Sequence, residues 1–522
     1  MNRAVVANGA IRRLEELVSK EDLHHPDATA LVDGSARLSY GELDRRSDEL
    51  ARALVARGVR PGDRVALLAP KSAEAIVALV GTLKAAAVCA PLDVTSPAPR
   101  LVRMLRTLAP CRLVIHPESG GLAARCLDEL GDASVSEVIR LGEDIAAARA
   151  ERPAPGAAPD DLAVILFTSG STGEPKGVPL THEAVLHFVS WSTAHFGVGS
   201  DDRVSCHSPL HFDAALWDIF RAFHAGAELH LVPARANLLP RSLAEFIRDA
   251  RLTQWDSVPS VLVGMASRDV VAHGDFPELR RLIWYGEVFP TKALRYWMER
   301  LPHVTFTNTY GPTETTITAS QYTVPRVPDD DAPIPIGEAV PGKRLSVLDA
   351  DRRPVAPGVI GDLYIGGVGL SPGYFRDPDK TASAFVEAPP GSGERLYRTG
   401  DLARIDEAGI VHFHGRADRQ IKSRGCRIEL DEIAVALGRI AGLAESAVVA
   451  VPVDGFEGAR ICAAYVPMPG ATRSPAELRA ELSSCLPPYM LPARWLALDG
   501  LPKNPNGKID HRALERRFLE ER

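Results

Sequence analysis

Behind Ser39-x-x-Glu42, a capping-box pattern, Leu43, Leu50, Leu54 and Val55 recur at helical spacing until Gly58 ends the run, which predicts an amphipathic helix. "GDRVALLAP" then reads as a strand, "KSAEAIVALVGTLKAA" as a helix and "AVCAPLD" as a further strand. That alternation predicts right-handed βαβ units with parallel strands. "DDLAVILF" and "ELHLVP" continue the strands, "PRSLAEFIRDAR" the helices, and "ARAERPAPGAAPDD" reads as a surface loop. From Ile336 glycine and proline become dense and short apolar runs take over ("KRLSVLD", "GDLYIGG", "GIVHFHG"), predicting a β-rich sub-lobe that ends near Gly415. In the last hundred or so residues helical and strand patterns alternate again ("ELDEIAVALGRI", "ESAVVAVPV", "ICAAYVPM", "SPAELRAELSSCL"), the signature of a separate small domain.

Length and composition narrow the class without changing that picture. At 522 residues the chain exceeds one ordinary core, and a net charge of −7 with no long single-sign block suggests neither a nucleic-acid nor a membrane-surface partner. The seven cysteines (Cys89, Cys111, Cys126, Cys206, Cys426, Cys462, Cys485) are scattered, with no C-x-x-C pair, so neither a disulfide framework nor a zinc site is expected. The N-terminal apolar run is short for a signal sequence, and Lys84 interrupts the most apolar later stretch, so a cytoplasmic location is expected.

Candidate chemistry starts at "LFTSGSTGEPKG", 166–177. Backbone N–H groups of such a loop can form an anion nest, with hydroxyls at Thr168, Ser169, Ser171 and Thr172 and a cation at Lys176. Its G-x-x-G-x-x-K-G spacing is not that of a Walker loop. "NTYGPTETT", 308–316, sets the aromatic face of Tyr310 on a constrained turn, with a donor at Thr313 and, at Glu314, a carboxylate of the kind that holds Mg²⁺ beside phosphate. "YRTGDL" supplies Asp401 as an acceptor for a ribose diol, "GRADRQIKSRGCRIELDEI" supplies Arg416, and "NPNGKID" carries Lys508 on a turn tip from which it can reach a cleft.

Taken in order with "LSYGEL", "LKAAAVCAPLD", "HFDAALWDIF", "YGEVFP", "GDLYIGGVGLSPGY" and "LPPYMLP", these stretches resemble the motifs of the adenylate-forming superfamily over nearly the whole chain. The likeness is greatest to amino-acid adenylation domains of nonribosomal peptide synthetases and to free-standing amino acid–carrier protein ligases. It implies an α/β fold: a large N-terminal domain, residues 1–417, of α/β sub-lobes plus the β-rich sub-lobe, and a small mobile C-terminal α+β domain, residues 418–522, pivoting at Asp418 and Arg419. It implies ATP and Mg²⁺ as cofactors and a two-step reaction: adenylation of a carboxylate, then transfer to a phosphopantetheine thiol of a carrier protein.

The same resemblance distributes roles. Lys508 would neutralise the reacting carboxylate and α-phosphate, Thr313 would contact the α-phosphate, and Glu314 would hold Mg²⁺. Tyr310 would stack on adenine and Asp401, with Arg416, would hold the ribose. The loop Thr168, Ser169, Gly170, Ser171, Thr172, Gly173 and Lys176 would cover the β- and γ-phosphates, with Gly286, Glu287, Asn308 and Gly311 completing the nucleotide site. The loop around Gly425 would line the approach of the thiol. Asp213 would pair with a substrate ammonium, the competing reading being a cap on the helix that follows.

The pocket-lining positions carried over are Asp213, Ala214, Trp217, Ser257, Ile283, Tyr285, Thr309, Ile317 and Thr318. If Trp217 and Tyr285 both point inward the side-chain space is small, so alanine is expected first, then glycine or serine. D-alanine, a β-amino acid, or an acyl- or aryl-CoA synthetase activity are the alternatives, and a catalytically silent scaffold is the reading from another class. With no carrier motif in the chain, a separate carrier protein is expected. His182, His207 and His211 are expected to be packing or surface histidines, not to catalyse.

Overall fold

The computed structural model describes residues 11–19, 24–131, 135, 137–145, 158–170, 173–452, 459–504 and 507–521. Two large sheets organise the first three hundred and forty residues. One has nine strands in the order Glu338–Ala339, Ser320–Thr323, Thr305–Tyr310, Arg281–Tyr285, Gln254–Ser257, Arg203–Cys206, Glu228–Leu231, Thr29–Asp33, Ala36–Ser39. Its interior pairs are parallel and its edges antiparallel. The other has six, Val138–Arg140, Arg112–Ile115, Arg64–Leu68, Val88–Pro91, Leu162–Thr168 and Lys176–Thr181, parallel except for the last pair.

The helix predicted behind Ser39 runs Tyr40–Ala56, and Ser39 and Glu42 close the capping box reciprocally. It packs with Ala73–Lys84, His182–Phe196 and Asp213–Ala225 in one apolar cluster that also takes Leu31, Val204 and Leu229 from the nine-stranded sheet and Val65, Val164 and Val178 from the six-stranded one. One core therefore joins the two sub-lobes. Each fully buried large apolar side chain in it stabilises the fold by about 1.5–3 kcal/mol. Lys84, which breaks the apolar stretch in sequence, is buried and ion-paired with Asp44 at 2.5 Å and Asp48 at 2.8 Å, so it belongs to this core. No helix among the described residues is long and apolar enough to cross a membrane.

The β-rich sub-lobe is a five-stranded antiparallel sheet built from Lys343–Leu348, Gly361–Gly367, Phe385–Glu387, Arg395–Ile405 and Val411–Arg416, with one short helix, Pro378–Ala384. Beyond it come the hairpin Gln420–Ser423/Cys426–Glu429 and a three-stranded sheet of Leu443–Pro452, Ala459–Pro467 and Arg494–Ala497. Helices Leu430–Gly438 and Pro475–Ser483 and a separate apolar cluster centred on Ile433, Val448 and Leu478 give this last part its own core.

Candidate active site

All three parts contribute to one cavity of about 800 Å³, whose wall includes Thr168 and Ser169, His211 to Ala214, Tyr285 and Gly286, Tyr310 to Thr313, Asp401, Lys422, and Arg424 to Arg427. A second chamber of about 410 Å³ lies against it, lined by Gly286, Glu287, Val288, Asn308, Thr309, Ile336 and Phe413 and sharing Tyr310, Asp401, Arg416 and Lys422 with the first. Motifs separated by more than two hundred residues thus meet at strand ends, where parallel sheets present their loops.

Consider the acidic and basic groups first. Tyr310 and Arg416 each bond to Asp401, the phenol to Oδ2 and the guanidinium to Oδ1, and Arg416 also forks onto Asp418 at 2.6 Å. Asn308 is tied to the carbonyl of Pro335 at 2.8 Å. Gly311 makes room where nothing else fits, since a Cβ there would meet the carbonyl oxygen of Ile317 at 2.5 Å. Thr168 carries a buried hydroxyl with no hydrogen-bond partner, a donor left over at the cavity wall.

Glu314 is fully buried, and its carboxylate accepts from Arg427 at 2.7 and 3.0 Å and from Tyr374 at 2.8 Å. Burial raises its pKa, but the cations of Arg427 and Lys176 outweigh that and hold it at about 2, so it stays ionised. Lys176 is itself buried, 3.9 Å from Glu429 and over the ring of Tyr374, and burial followed by the neighbouring Arg427 lowers its pKa. The hairpin carrying Arg427 is docked further by Ser169, whose hydroxyl donates to the Arg427 carbonyl at 2.8 Å. Gly425 donates its N–H to Glu287 at 2.8 Å. Gly425 has φ +76°, and a Cβ on it would stand 2.7 Å from Val258. Gly425 lines the main cavity.

Lys508 is not there. It is exposed on the turn 504–508, closed by Asn504 N–H to the Lys508 carbonyl at 2.7 Å, and lines neither chamber. Arg419 points into the small domain, donating to Asp431 at 2.5 Å and to the Val448 carbonyl. Ser171 and Thr172 lie outside the described residues.

At the other end, Asp213 opens the helix Asp213–Ala225 but Phe212 is its N-cap, and no side chain caps it, so the capping reading is not realised. Burial raises the Asp213 pKa against a hydrogen bond from Thr313. Of the nine pocket positions, Asp213, Ala214, Tyr285, Ile317 and Thr318 line the main cavity. Trp217, Ser257 and Ile283 do not, which corrects the expectation for them: each is fully buried, Trp217 donating to Ser192 at 3.1 Å and Ser257 bonding His207 at 3.4 Å, so internal partners hold the first two away from the opening. Thr309 is corrected too, since its hydroxyl donates to the Trp284 carbonyl and the residue borders only the second chamber. Tyr285 points inward, with its hydroxyl 2.9 Å from that of Ser208. His182 and His207 are buried, and desolvation lowers both to about 3, so they are neutral packing groups.

Sequence reasoning missed Lys422, Arg427 and Lys343. The first two lie within a stretch already singled out, where the alternation I-K and R-I-E in a short hairpin marks one inward face. Lys422 sits 5.6 Å from the ring of Tyr310, and burial lowers its pKa against the pull of Asp401. Nothing local marks Lys343, whose burial depends on long-range packing.

Comparison with known proteins is in keeping with this geometry. The family model described as "AMP-binding enzyme" matches residues 19–375, and that of the "AMP-binding enzyme C-terminal domain" matches residues 432–508. Novobiocin biosynthesis protein H of Streptomyces niveus is 38% identical over 509 residues, 96% of this chain and 82% of that one. Further curated relatives are longer, and this chain spans 45% of one and 20% of the next. Among solved structures, IdnL1 superposes with a TM-score of 0.78 at 32% identity, covering 95% of this chain and all of that one. Holo-PA1221, a nonribosomal peptide synthetase protein containing adenylation and carrier domains, superposes at 0.81 with 26% identity, covering 97% and 84%. With both family models matched and several of the motif stretches meeting at one cavity, the chain belongs to the AMP-binding enzyme family, as an adenylate-forming enzyme of the nonribosomal peptide synthetase adenylation type.

Proposed function

We propose that the protein activates a small amino acid, alanine first and then glycine or serine, as its aminoacyl-adenylate and passes the acyl group to the phosphopantetheine thiol of a carrier protein. The observation that carries this reading is Asp213, a carboxylate in the wall of the same cavity as the nucleotide-side residues and with no cation bonded to it among the described residues. A carboxylate so placed gains from a substrate ammonium and would be left unpaired by a fatty or aryl acid. Tyr285 limits the side-chain space, with Trp217 packed behind it at a ring distance of 6.1 Å.

In the first step a substrate carboxylate oxygen attacks the α-phosphorus of ATP and the bond to pyrophosphate breaks. Such a transfer needs alignment and neutralisation of charge more than covalent help. ATP fits what is present: a leftover buried hydroxyl at Thr168 and a ribose acceptor at Asp401 beside Arg416. Tyr310 offers its ring to the base. Mg²⁺ would be held by Glu314 together with phosphate oxygens and would supply charge neutralisation. A permanently ionised carboxylate suits a hard cation, provided that Arg427 withdraws from it. In the second step the thiol sulfur attacks the adenylate carbonyl, AMP leaves with the bonding electrons, and the thiol proton passes to solvent.

The arrangement described above, with the hairpin docked and Lys508 outside, suits the second step. For the first, the domain of residues 418–522 would turn about Asp418 and Arg419 and bring Lys508 to the reacting carboxylate. An amino-acid panel in a pyrophosphate-exchange assay tests the reading. Alanine, glycine or serine is expected to support exchange best. Exchange only with D-alanine or a β-amino acid would replace the substrate, exchange only with organic acids would favour a CoA synthetase, and exchange with no acid would overturn the activity.

A further inference from the structure

Two consecutive residues beside the amino-acid pocket have a backbone that their side chains disfavour. Thr316 has φ +59° and Ile317 φ +65°. Both are β-branched, and left-handed backbone at such residues is rare and persists only where the surroundings impose it. What imposes it here is Lys343, the first residue of strand Lys343–Leu348. Its ammonium donates to the carbonyls of Thr315 at 2.6 Å, Thr316 at 2.9 Å and Thr318 at 2.7 Å. All three of its donors are thereby spent on one turn. Thr316 adds a hydrogen bond from its hydroxyl to the Gly369 carbonyl at 2.7 Å, which anchors the same turn to the neighbouring strand end.

The turn so held carries Ile317 and Thr318, and both line the main cavity. Lys343 itself does not line it; it is buried, with its ammonium 5.7 Å from the ring of Phe188. Asp213 is the carboxylate whose field reaches Lys343. One side chain therefore touches no ligand yet sets the backbone of one pocket wall and faces the charge of another.

We infer that Lys343 is a positioning residue for the acyl substrate: by clamping the 315–318 turn it fixes Ile317 and Thr318 as the side-chain wall and makes the pocket selective. This rests on the amino-acid reading above. A strut that merely stabilised the sub-lobe would change thermal stability and leave selectivity alone.

The experiment is pyrophosphate exchange with Lys343→Met, which keeps the volume and removes the donors, and with Lys343→Gln, which keeps two of them. For Lys343→Met the amino-acid KM should rise about tenfold with kcat and the ATP KM within about twofold, and preference over the next larger side chain should fall about tenfold. Lys343→Gln should fall between Met and wild type, and it serves as the readout if the Met variant is insoluble. Unchanged amino-acid KM and selectivity, or an equal rise in the ATP KM, would overturn the inference. If the wild type exchanges with no amino acid, the amino-acid reading itself fails and takes this inference with it; normal wild-type exchange with wild-type-like variants sinks the inference alone.

Discussion

The C-terminal part holds two lysine-bearing loops in opposite situations. The hairpin Gln420–Ser423/Cys426–Glu429 is tied to the large domain at three points: Gly425 to Glu287, Arg427 to Glu314, and the Arg427 carbonyl to Ser169. Near Lys508 the backbone is closed by Asn504 N–H to the Lys508 carbonyl and Lys508 N–H to the Asn504 side chain, and the lysine stands in solvent. A loop that served the cavity in this arrangement would not leave its lysine exposed, and a buried carboxylate such as Glu314 needs a cation whichever loop is in. The contrast supports the proposal that one site is served by two loops in turn.

The sharpest way to break that comparison is Lys508→Ala. Exchange is expected to fall about a thousandfold, the scale of losing one charge-stabilising donor at the reacting centre. Thermal stability should not change, and transfer from preformed adenylate should stay within a few-fold. Equal loss in both half-reactions would show that the exposed turn serves something other than adenylation. Arg427→Met comes next. It leaves Glu314 buried without its guanidinium partner, a change that costs about 3 kcal/mol in comparable buried pairs, readable by denaturant unfolding. The pH dependence has a definite sign: the folded-state pKa of Glu314, about 2, lies below the ordinary glutamate value of 4.5, so its stabilisation is present above pH 4.5 and fades as pH falls through 2. The variant should show a flatter acid limb, and an unaltered one would mean that Lys176 and Tyr374 alone hold the carboxylate.

What could be read from the sequence follows from range. The capping box at Ser39 and the βαβ runs depend on neighbours in sequence, and they form as expected. The phosphate-loop, Tyr310 and Asp401 stretches were legible as motifs because a ligand-facing loop carries its chemistry locally. Trp217 and Ser257 were misplaced because their partners, Ser192 and His207, lie 25 and 50 positions away, and hydrogen bonds to them draw both side chains out of the cavity wall. Lys343 was invisible for the same reason: a lysine at a strand start reads as solvated until three carbonyls from another segment surround it. Pairing of Thr29–Asp33 with Glu228–Leu231, across nearly two hundred residues, likewise has no local signal.

A smaller effect sharpens the comparison at the pivot. Arg419 links the start of the hairpin to the small domain through Asp431 and the Val448 carbonyl. Arg419→Pro fixes φ and removes a backbone donor at the point where the chain is proposed to turn. Thioester formation should drop about tenfold relative to exchange, since hinge changes act on the conformational step; an equal loss in both assays would remove the pivot from this position.

The smallest expected effect concerns the quiet end of the cavity. Tyr285 has a hydroxyl 2.9 Å from Ser208, and burial together with the field of Asp218 raises its pKa well above the usual phenol value, so it remains a neutral donor–acceptor at working pH. Tyr285→Phe removes that hydroxyl and leaves the ring. Losing one neutral hydrogen bond at a pocket floor is worth about 1 kcal/mol, roughly a fivefold change in an equilibrium. Much of it should be recovered by Ser208 turning elsewhere, so kcat/KM for alanine should shift by about threefold at most. Serine should lose more than alanine if its hydroxyl uses the same pair, and equal ratios for the two would place the substrate side chain away from Tyr285. Either ratio is unaffected by which C-terminal loop is docked, so this variant separates the pocket that chooses the substrate from the loops that process it.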